Sequence, residues 1–294
     1  MAVPGSKKTL ILLNVVCFIC LLAFNGLSNI KSPLFPRNIG NVSSEYPTEI
    51  TPSGPTFAIW GFIYAFQMAW VLYTLTLICR SNAADILPAT LYVAFTVSCV
   101  CNVCWVLVWV REIFGLSLAL LAGAVISLAT CVSTASKSLH DYLKNEKNPI
   151  VADVWCVRIL VQNGIIFYNA WVTIATCINL VVTLHYQLGF DASKSATAAL
   201  AILLCVTVFW FILENFVLQD YTRFVFAEYI VLIVGLSGVM KAHWTGGQGN
   251  QSFVLVCLIV SAVFFIARIA LIIVQEKRKP KREEIVMFHM PASI

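Results

Sequence analysis

Eight long apolar segments follow one another along the chain, and short polar stretches separate most of them. A helix that crosses a bilayer needs about 20 mainly apolar residues, because each residue adds about 1.5 Å to its length. The segments that meet this length are residues 9–27, 57–79, 86–110, 113–135, 154–184, 197–218, 224–240 and 252–275. The pattern predicts an all-α, multi-pass membrane protein with eight transmembrane helices.

The composition indicates the same class of protein. Of the 294 residues, 60% are hydrophobic and 11% are charged, whereas about 25% of a soluble domain is charged. Charge this sparse cannot cover a soluble surface, so a cytosolic enzyme and a secreted domain are excluded. The net charge of +5 does not indicate a nucleic-acid partner, because nearly all the Lys and Arg residues lie in short loops and in a C-terminal tail.

The basic residues predict the orientation of the chain. With the N-terminus inside, twelve Lys and Arg residues lie on the cytosolic side and five lie on the other side. Cytosolic loops of membrane proteins carry such an excess. We therefore expect both termini in the cytosol, with the protein in the plasma membrane or an endomembrane.

Two further sequence features concern the loops and the first apolar segment. The glycosylation sequons at Asn41 and Asn250 both fall in loops that this orientation places outside. Lys7 and Lys8 followed by an apolar run also resemble a cleaved signal peptide, which would leave seven helices. Because Asn14 interrupts the run, we favour retention of segment 9–27.

The eleven cysteines all fall inside the predicted helices. A disulfide framework is therefore not indicated. Cys101 and Cys104 have the spacing of a metal-binding pair, but no His or second Cys pair accompanies them. Packing of small residues is the favoured interpretation, and no metal is predicted.

Polar residues inside membrane helices face protein or a water-filled cavity, so their positions locate the interior. At about 100° per residue, the fifth segment places six polar residues on one line: Arg158, Gln162, Asn169, Thr173, Thr176 and Asn179. The second segment groups Trp60, Tyr64, Gln67 and Thr74, and the third groups Ser98, Asn102, Trp105 and Trp109. These faces are typical of an aromatic small-molecule pocket. Helix–helix hydrogen bonds without a ligand are the alternative.

Four ionisable residues lie inside the predicted helices at similar depth below the cytosolic surface: Arg158, Glu214, Glu228 and Arg268. An unpaired charge at the bilayer centre costs about 2.5–3.5 kcal/mol. We expect an inward-facing charge network with at least one Arg–Glu pair. Snorkelling to the headgroups is the alternative.

Three motifs resemble the tryptophan-rich sensory protein/translocator protein (TspO/MBR) family. The fifth segment contains Tyr168-Asn-Ala-Trp171 followed by Ala175 and Asn179, and the third contains Asn102-Val-Cys-Trp105. A Pro-rich stretch, Pro52-Ser-Gly-Pro55, precedes Trp60 and Tyr64. The order of the motifs matches the family over residues 9–184.

The chain also departs from the family pattern. Phe57 precedes Trp60 by three residues rather than four, and the proline between them is missing. Family members usually have five helices, so this chain resembles a longer branch of the family. We expect a five-helix module over residues 1–184, a three-helix extension over 185–275 and a basic cytoplasmic tail over 276–294.

The resemblance implies a non-enzymatic protein that binds a hydrophobic small molecule between its first five helices, with loop 28–56 as a lid. Family ligands are tetrapyrroles, such as haem or protoporphyrin, and sterols. The residues that the resemblance and the helix faces assign to binding are Trp60, Tyr64, Asn102, Trp105, Trp109, Tyr168, Trp171 and Asn179.

Other functions stay open at this point. A secondary transporter would use the intramembrane charges, although no internal duplication supports it. An enzyme is disfavoured because no catalytic set of Ser, His and Asp lies in a helix, and the four His residues lie near membrane edges or in loops. Lipid is the expected surrounding, and a homo-oligomer stays open.

Overall fold

A computed structural model describes residues 4–80 and 84–277. Within them the chain forms helices joined by loops and contains no strand. We label the helices α1 (Gly5–Leu27), α2 (Ile39–Glu45), α3 (Ile59–Cys79, after a 3₁₀ turn at Gly54–Ala58), α4 (Ala89–Trp109), α5 (Phe114–Asn145), α6 (Val151–Gln187), α7 (Ala192–Val217), α8 (Ala227–His243) and α9 (Asn250–Lys277). A single helical turn, Gln219–Thr222, lies between α7 and α8.

Seven of these described helices, α1, α3 to α7 and α9, are long and apolar enough to cross a membrane. Helix α8, which corresponds to predicted segment 224–240, has 17 residues. At about 1.5 Å per residue it is about 25 Å long, which is at the short end for a transmembrane helix. The predicted tail, residues 276–294, lies outside the described residues except for its first two.

The predicted boundary of the fourth segment was wrong. Segment 113–135 corresponds to α5, which continues through Asn145, so the predicted loop 136–153 shrinks to residues 146–150. The last turns of α5 are amphipathic, because Ser136 and Leu139 are buried whereas Lys137 and Asp141 are exposed. A search for apolar length detects where hydrophobic residues end, not where the helix ends.

Helix α6 is the centre of the bundle. About 67% of its most apolar stretch is buried, against 17–44% in the other six long helices. It packs against α3, α5, α7 and α8. Two stretches of α6, Val157–Asn163 and Thr183–Gln187, are π-helical. The polar residues of the fifth predicted segment indicated a helix that faces the interior of the bundle, and this packing agrees with that prediction.

Contacts at the helix ends and in the loops define two ends of the bundle. At the first, which we call the tail end, Arg80 forms a bidentate pair with Asp153, with N···O distances of 2.7 and 3.0 Å. Lys7 contacts Asp85 there. At the opposite end, which we call the lid end, loop 28–56 packs over the helices and Tyr186 donates to the Pro47 carbonyl. The lid end contains the candidate site.

The three C-terminal helices surround a buried ionic cluster. Arg268 donates to the carbonyls of Val225 (3.0 Å) and Thr222 (2.5 Å) and to Asn215 Oδ1 (2.8 Å). Its Nε lies 3.7 Å from Glu214 Oε2, and neither side chain is exposed. Tyr229 donates to the other carboxylate oxygen of Glu214.

The other two intramembrane ionisable residues lie nearby. Glu228 is buried on α8, and the Arg158 guanidinium lies over the rings of Phe224 (4.4 Å) and Trp155 (5.1 Å). Energetic coupling among the four residues stays a prediction.

Candidate functional site

A cavity of about 1000 Å³ lies beneath loop 28–56, which we call the lid. Its wall comes from α1, α3, α4, α6, the lid and the last turn of α8. Small-molecule sites in proteins occupy about 300–1000 Å³ and are mainly apolar with a few polar groups. The cavity is therefore large enough for a ligand the size of a drug or a lipid.

Aromatic rings make up much of the helical part of this wall. Trp60 stacks on Tyr64 at a centroid distance of 5.3 Å, and Trp171 lies edge-on to Trp60 at 6.2 Å. Trp105 and Trp109 stack on each other at 6.1 Å. Aromatic faces of this kind offer large, rigid apolar surfaces to a flat ligand.

Asn179 on α6 connects the aromatic wall to α5. Its Oδ1 accepts hydrogen bonds from Ser117 Oγ at 2.7 Å and from Trp105 Nε1 at 3.3 Å. Its Nδ2 donates to the Ala175 carbonyl at 2.9 Å. Asn179 therefore fixes the orientation of the Trp105 indole, since a buried indole N–H needs an acceptor.

The structure places six of the eight predicted binding residues in the cavity wall: Trp60, Tyr64, Trp105, Trp109, Trp171 and Asn179. Asn102 and Tyr168 are buried behind it. Asn102 accepts a hydrogen bond from Asn25 Nδ2 at 2.8 Å, and the Tyr168 ring lies 6.1 Å from that of Trp60. Both support residues of the wall, and binding itself stays a prediction for all eight.

Most of the polar line on α6 does not reach the cavity. Of its six residues only Asn179 contributes to the wall. Gln162 donates to Ser136 Oγ at 2.9 Å, while Thr173 and Thr176 donate to carbonyls of their own helix. Helical periodicity aligns residues on one face, but the helix that packs there decides between a cavity and a polar seam.

The other polar residues of the second and third segments also make contacts within the bundle. Gln67 Nε2 donates to the Gly164 carbonyl at 2.7 Å, and Thr74 and Ser98 donate to carbonyls of their own helices. These contacts match the helix–helix alternative rather than a ligand site.

One side of the lid is attached to the α4–α5 connection. Arg37 contacts both Glu45 and Glu112, and Tyr46 donates to Glu112 Oε2 at 2.8 Å. Glu112 has a φ of 62°, which is uncommon for a residue other than glycine. These contacts engage the Arg37 guanidinium on the lid surface.

The other side of the lid is attached to the C-terminal helices, which sequence reasoning missed. His243 Nε2 lies 2.9 Å from the Thr51 carbonyl, and Ser53 N donates to the Gly238 carbonyl at 3.0 Å. A Cβ on Gly238 would come within 2.7 Å of Thr56 Cγ2, so α8 approaches the lid as closely as glycine allows. The only sequence signals were a glycine in an apolar segment and a histidine at its edge.

Asn250 attaches the lid at a third point, and the same contacts bear on glycosylation of its sequon. Its Nδ2 donates to Glu49 Oε2 at 2.7 Å and to the carbonyl and hydroxyl of Ser193 at 2.9 and 3.1 Å. The side chain is buried, whereas Asn41 is exposed. A glycan on Asn250 would replace these hydrogen bonds, so we expect one at Asn41 rather than at Asn250, and glycosylation of either residue stays a prediction.

The cavity wall is almost uncharged. Among the described residues, no Lys, Arg, Asp or Glu lines the cavity, and His243 is its one imidazole. The described residues contain no group of three or more His, Cys, Asp or Glu side chains suited to a metal ion. The wall therefore offers apolar contact, hydroxyl and amide groups rather than charge.

Comparison with known proteins assigns the family. A family model described as TSPO-like protein matches residues 11–294, including the three C-terminal helices. No curated protein sequence and no solved structure matches the chain significantly. Together with the apolar helices, the family match identifies an integral, multi-pass membrane protein. Since the matched region spans nearly the whole chain, this protein belongs to the TSPO-like family.

Proposed function

We propose that the protein is a non-enzymatic carrier or sensor that binds an uncharged hydrophobic small molecule, such as a sterol-like compound, in the lid-covered cavity. The observation that carries the proposal is a wall with four tryptophans and no Lys, Arg, Asp or Glu among its described residues. Burial of apolar surface contributes about 25 cal/mol per Å². An apolar ligand therefore gains affinity here without needing a counter-charge.

A dicarboxylate tetrapyrrole does not fit this wall. Its propionates would need cations or several donors, but no Lys or Arg among the described residues lines the cavity, and the two arginines at the lid end are engaged elsewhere. Arg37 contacts Glu45 and Glu112, and Arg111 donates to the Leu34 and Leu107 carbonyls. These observations favour the sterol-like class over haem and protoporphyrin.

We also infer that α8 completes an eight-helix membrane domain with both termini in the cytosol. The start of α1 contacts Asp85 at the tail end. Near the end of α9, Gln275 lies within hydrogen-bonding distance of Gln219 (3.5 Å), and the adjacent Tyr221 ring contacts His140 of α5. Both described ends therefore lie at the same end of the bundle, which requires an even number of crossings. The positive-inside rule then assigns the tail end to the cytosol.

Helix α8 can cross despite its length because protein surrounds much of it. It packs between α6 and α9, and nine of its 17 residues are buried. Helix α1 is part of the same domain, since it packs on α4 and contributes Leu22 and Asn25 to the cavity wall. This packing supports retention of segment 9–27 in the mature protein.

Ligand binding is tested by energy transfer from tryptophan to the fluorescent sterol dehydroergosterol. We expect saturable transfer with purified protein in detergent micelles. Trp171→Phe should weaken binding about twofold to tenfold, because an aromatic pair contributes about 0.5–1.5 kcal/mol beyond its buried area. Trp244→Phe is the matched control, since Trp244 is 47% exposed and does not line the cavity. Non-saturable transfer, or equal losses in both variants, would contradict the proposal.

A secondary transporter is the second candidate. The buried Glu214–Arg268 contact favours it, because charged residues inside the membrane often couple substrate transport to the movement of ions. All three Arg268 hydrogen bonds, however, join residues of the three C-terminal helices and their connections. Neither charged residue lines the cavity. Sterol uptake into proteoliposomes that depends on a proton or sodium gradient would support transport over simple binding.

A further inference from the structure

His243 is the point where the C-terminal helices reach the cavity. It lies in the last turn of α8, is partly exposed, and lines the cavity roof beside the lid. Its Nε2 lies 2.9 Å from the Thr51 carbonyl oxygen. Within the described part of the chain, no hydrogen bond reaches its Nδ1.

The contact with Thr51 decides the roles of the two ring nitrogens. A backbone carbonyl oxygen can only accept a hydrogen bond, so Nε2 must carry the hydrogen and donate. In a neutral imidazole the other nitrogen is then an acceptor. His243, a residue of the cavity wall, therefore carries a hydrogen-bond acceptor at Nδ1, and the contact with the lid backbone fixes the orientation of its ring.

Most of the polar side chains of the cavity wall come from the lid, although Asn25 and Asn179 on the helices also line it. The lid contributes hydroxyl and amide side chains, among them Asn38, Ser43 and Thr48. The helices contribute the tryptophans, such as Trp60 and Trp171. A ligand with one polar end and an apolar body would place the polar end toward the lid and His243.

We propose that His243 is a specificity-determining residue whose Nδ1 accepts a hydrogen bond from a hydroxyl group of the ligand. The inference rests on the proposed function and assigns the ligand class as an apolar alcohol rather than a hydrocarbon, ether or acid. It also gives α8 a direct part in ligand choice. The helix that attaches the lid supplies the group that recognises the ligand.

The first arm of the test changes only the ligand. Dehydroergosterol is bound to the full-length protein at mildly alkaline pH and is displaced with cholesterol or with cholesterol methyl ether. The ether keeps the oxygen but lacks the hydrogen that Nδ1 requires. We expect cholesterol to bind about threefold to tenfold more tightly, which is the range for one hydrogen bond of about 0.5–1.5 kcal/mol.

The second arm changes the protein. His243→Phe keeps a ring but removes the acceptor, and should abolish the difference between alcohol and ether. His243→Gln supplies an amide donor and an acceptor and should restore part of it. His185→Phe is the matched control, because His185 lies at the same end of the bundle, contacts the Phe190 carbonyl and does not line the cavity. It should leave the difference unchanged.

The outcomes separate this inference from the proposed function. Equal affinity of cholesterol and its methyl ether for the unmodified protein would overturn the inference but leave sterol binding established. A preference for the alcohol that persists in a folded His243→Phe variant would also overturn it. Absence of saturable sterol binding would overturn the proposed function itself. If His243→Phe fails to fold, the comparison of the two ligands on the unmodified protein decides.

Discussion

Replacing Arg268 by Met should destabilise the protein strongly. The guanidinium is fully buried, lies 3.7 Å from Glu214 and donates to two backbone carbonyls and one amide oxygen. Met fills most of the volume but donates nothing. The variant therefore leaves a buried carboxylate without its counter-charge and takes a donor from three acceptors, of which the Thr222 carbonyl still accepts from Val225 N.

The expected magnitude follows from these contacts. Removing one partner of a buried ion pair costs about 3–5 kcal/mol, and each unsatisfied buried acceptor costs about 1–3 kcal/mol. Local repacking recovers part of the second contribution, so we expect a loss of about 3–5 kcal/mol in the free energy of unfolding. Arg111→Met, at an exposed arginine of the lid end, should cost less than about 1 kcal/mol.

The assay is reversible unfolding in mixed micelles by increasing SDS, followed by circular dichroism. A double-mutant cycle adds Glu214→Gln, which removes the charge and keeps an acceptor for Tyr229. The double variant should be more stable than the sum of the two single losses predicts, by at least about 1 kcal/mol. Additive losses would refute the reasoning, because they would mean that Arg268 and Glu214 do not stabilise each other.

Three further predictions concern the lid, glycosylation and topology. Gly238→Val should push α8 away from Thr56, lower the free energy of unfolding by about 1–3 kcal/mol and speed hydrogen exchange over residues 49–56. Gly61→Val is the control, because nothing lies within 4 Å of the added Cβ, and it should leave that exchange unchanged. Asn41→Gln should remove a glycan-dependent gel shift, whereas Asn250→Gln should not; a glycan mapped to Asn250 would contradict the packing. Tags at the N- and C-termini should both stay inaccessible in intact cells and become accessible after plasma-membrane permeabilisation, and an extracellular tag would exclude the orientation.

Hydrophobic length and aromatic spacing were enough to predict the class of fold and part of the site. Trp60, Tyr64, Trp105 and Trp171 lie on helix faces that 3.6-residue periodicity identifies without coordinates, and the structure places these side chains in one cavity wall. Periodicity succeeds here because a large aromatic face in a bundle packs against its neighbours. It could not show that Asn102 and Tyr168 on the same faces lie behind the wall.

Packing between distant parts of the chain decided the rest. Arg268 and Glu214 were visible as costly charges, but the sequence did not identify the partners of Arg268. Two of them are backbone carbonyls, of Thr222 and Val225, and the third is the Asn215 side chain on another helix. Likewise the contact between His243 and Thr51 joins residues 192 positions apart. The sequence by itself determined which segments are helical and apolar, because hydrophobicity and helical periodicity are local properties. The tertiary structure decided which polar groups line the cavity, which attach the lid and which are buried between helices. The reason is that a polar group forms hydrogen bonds with whatever donor or acceptor the folded chain brings within about 3 Å of it.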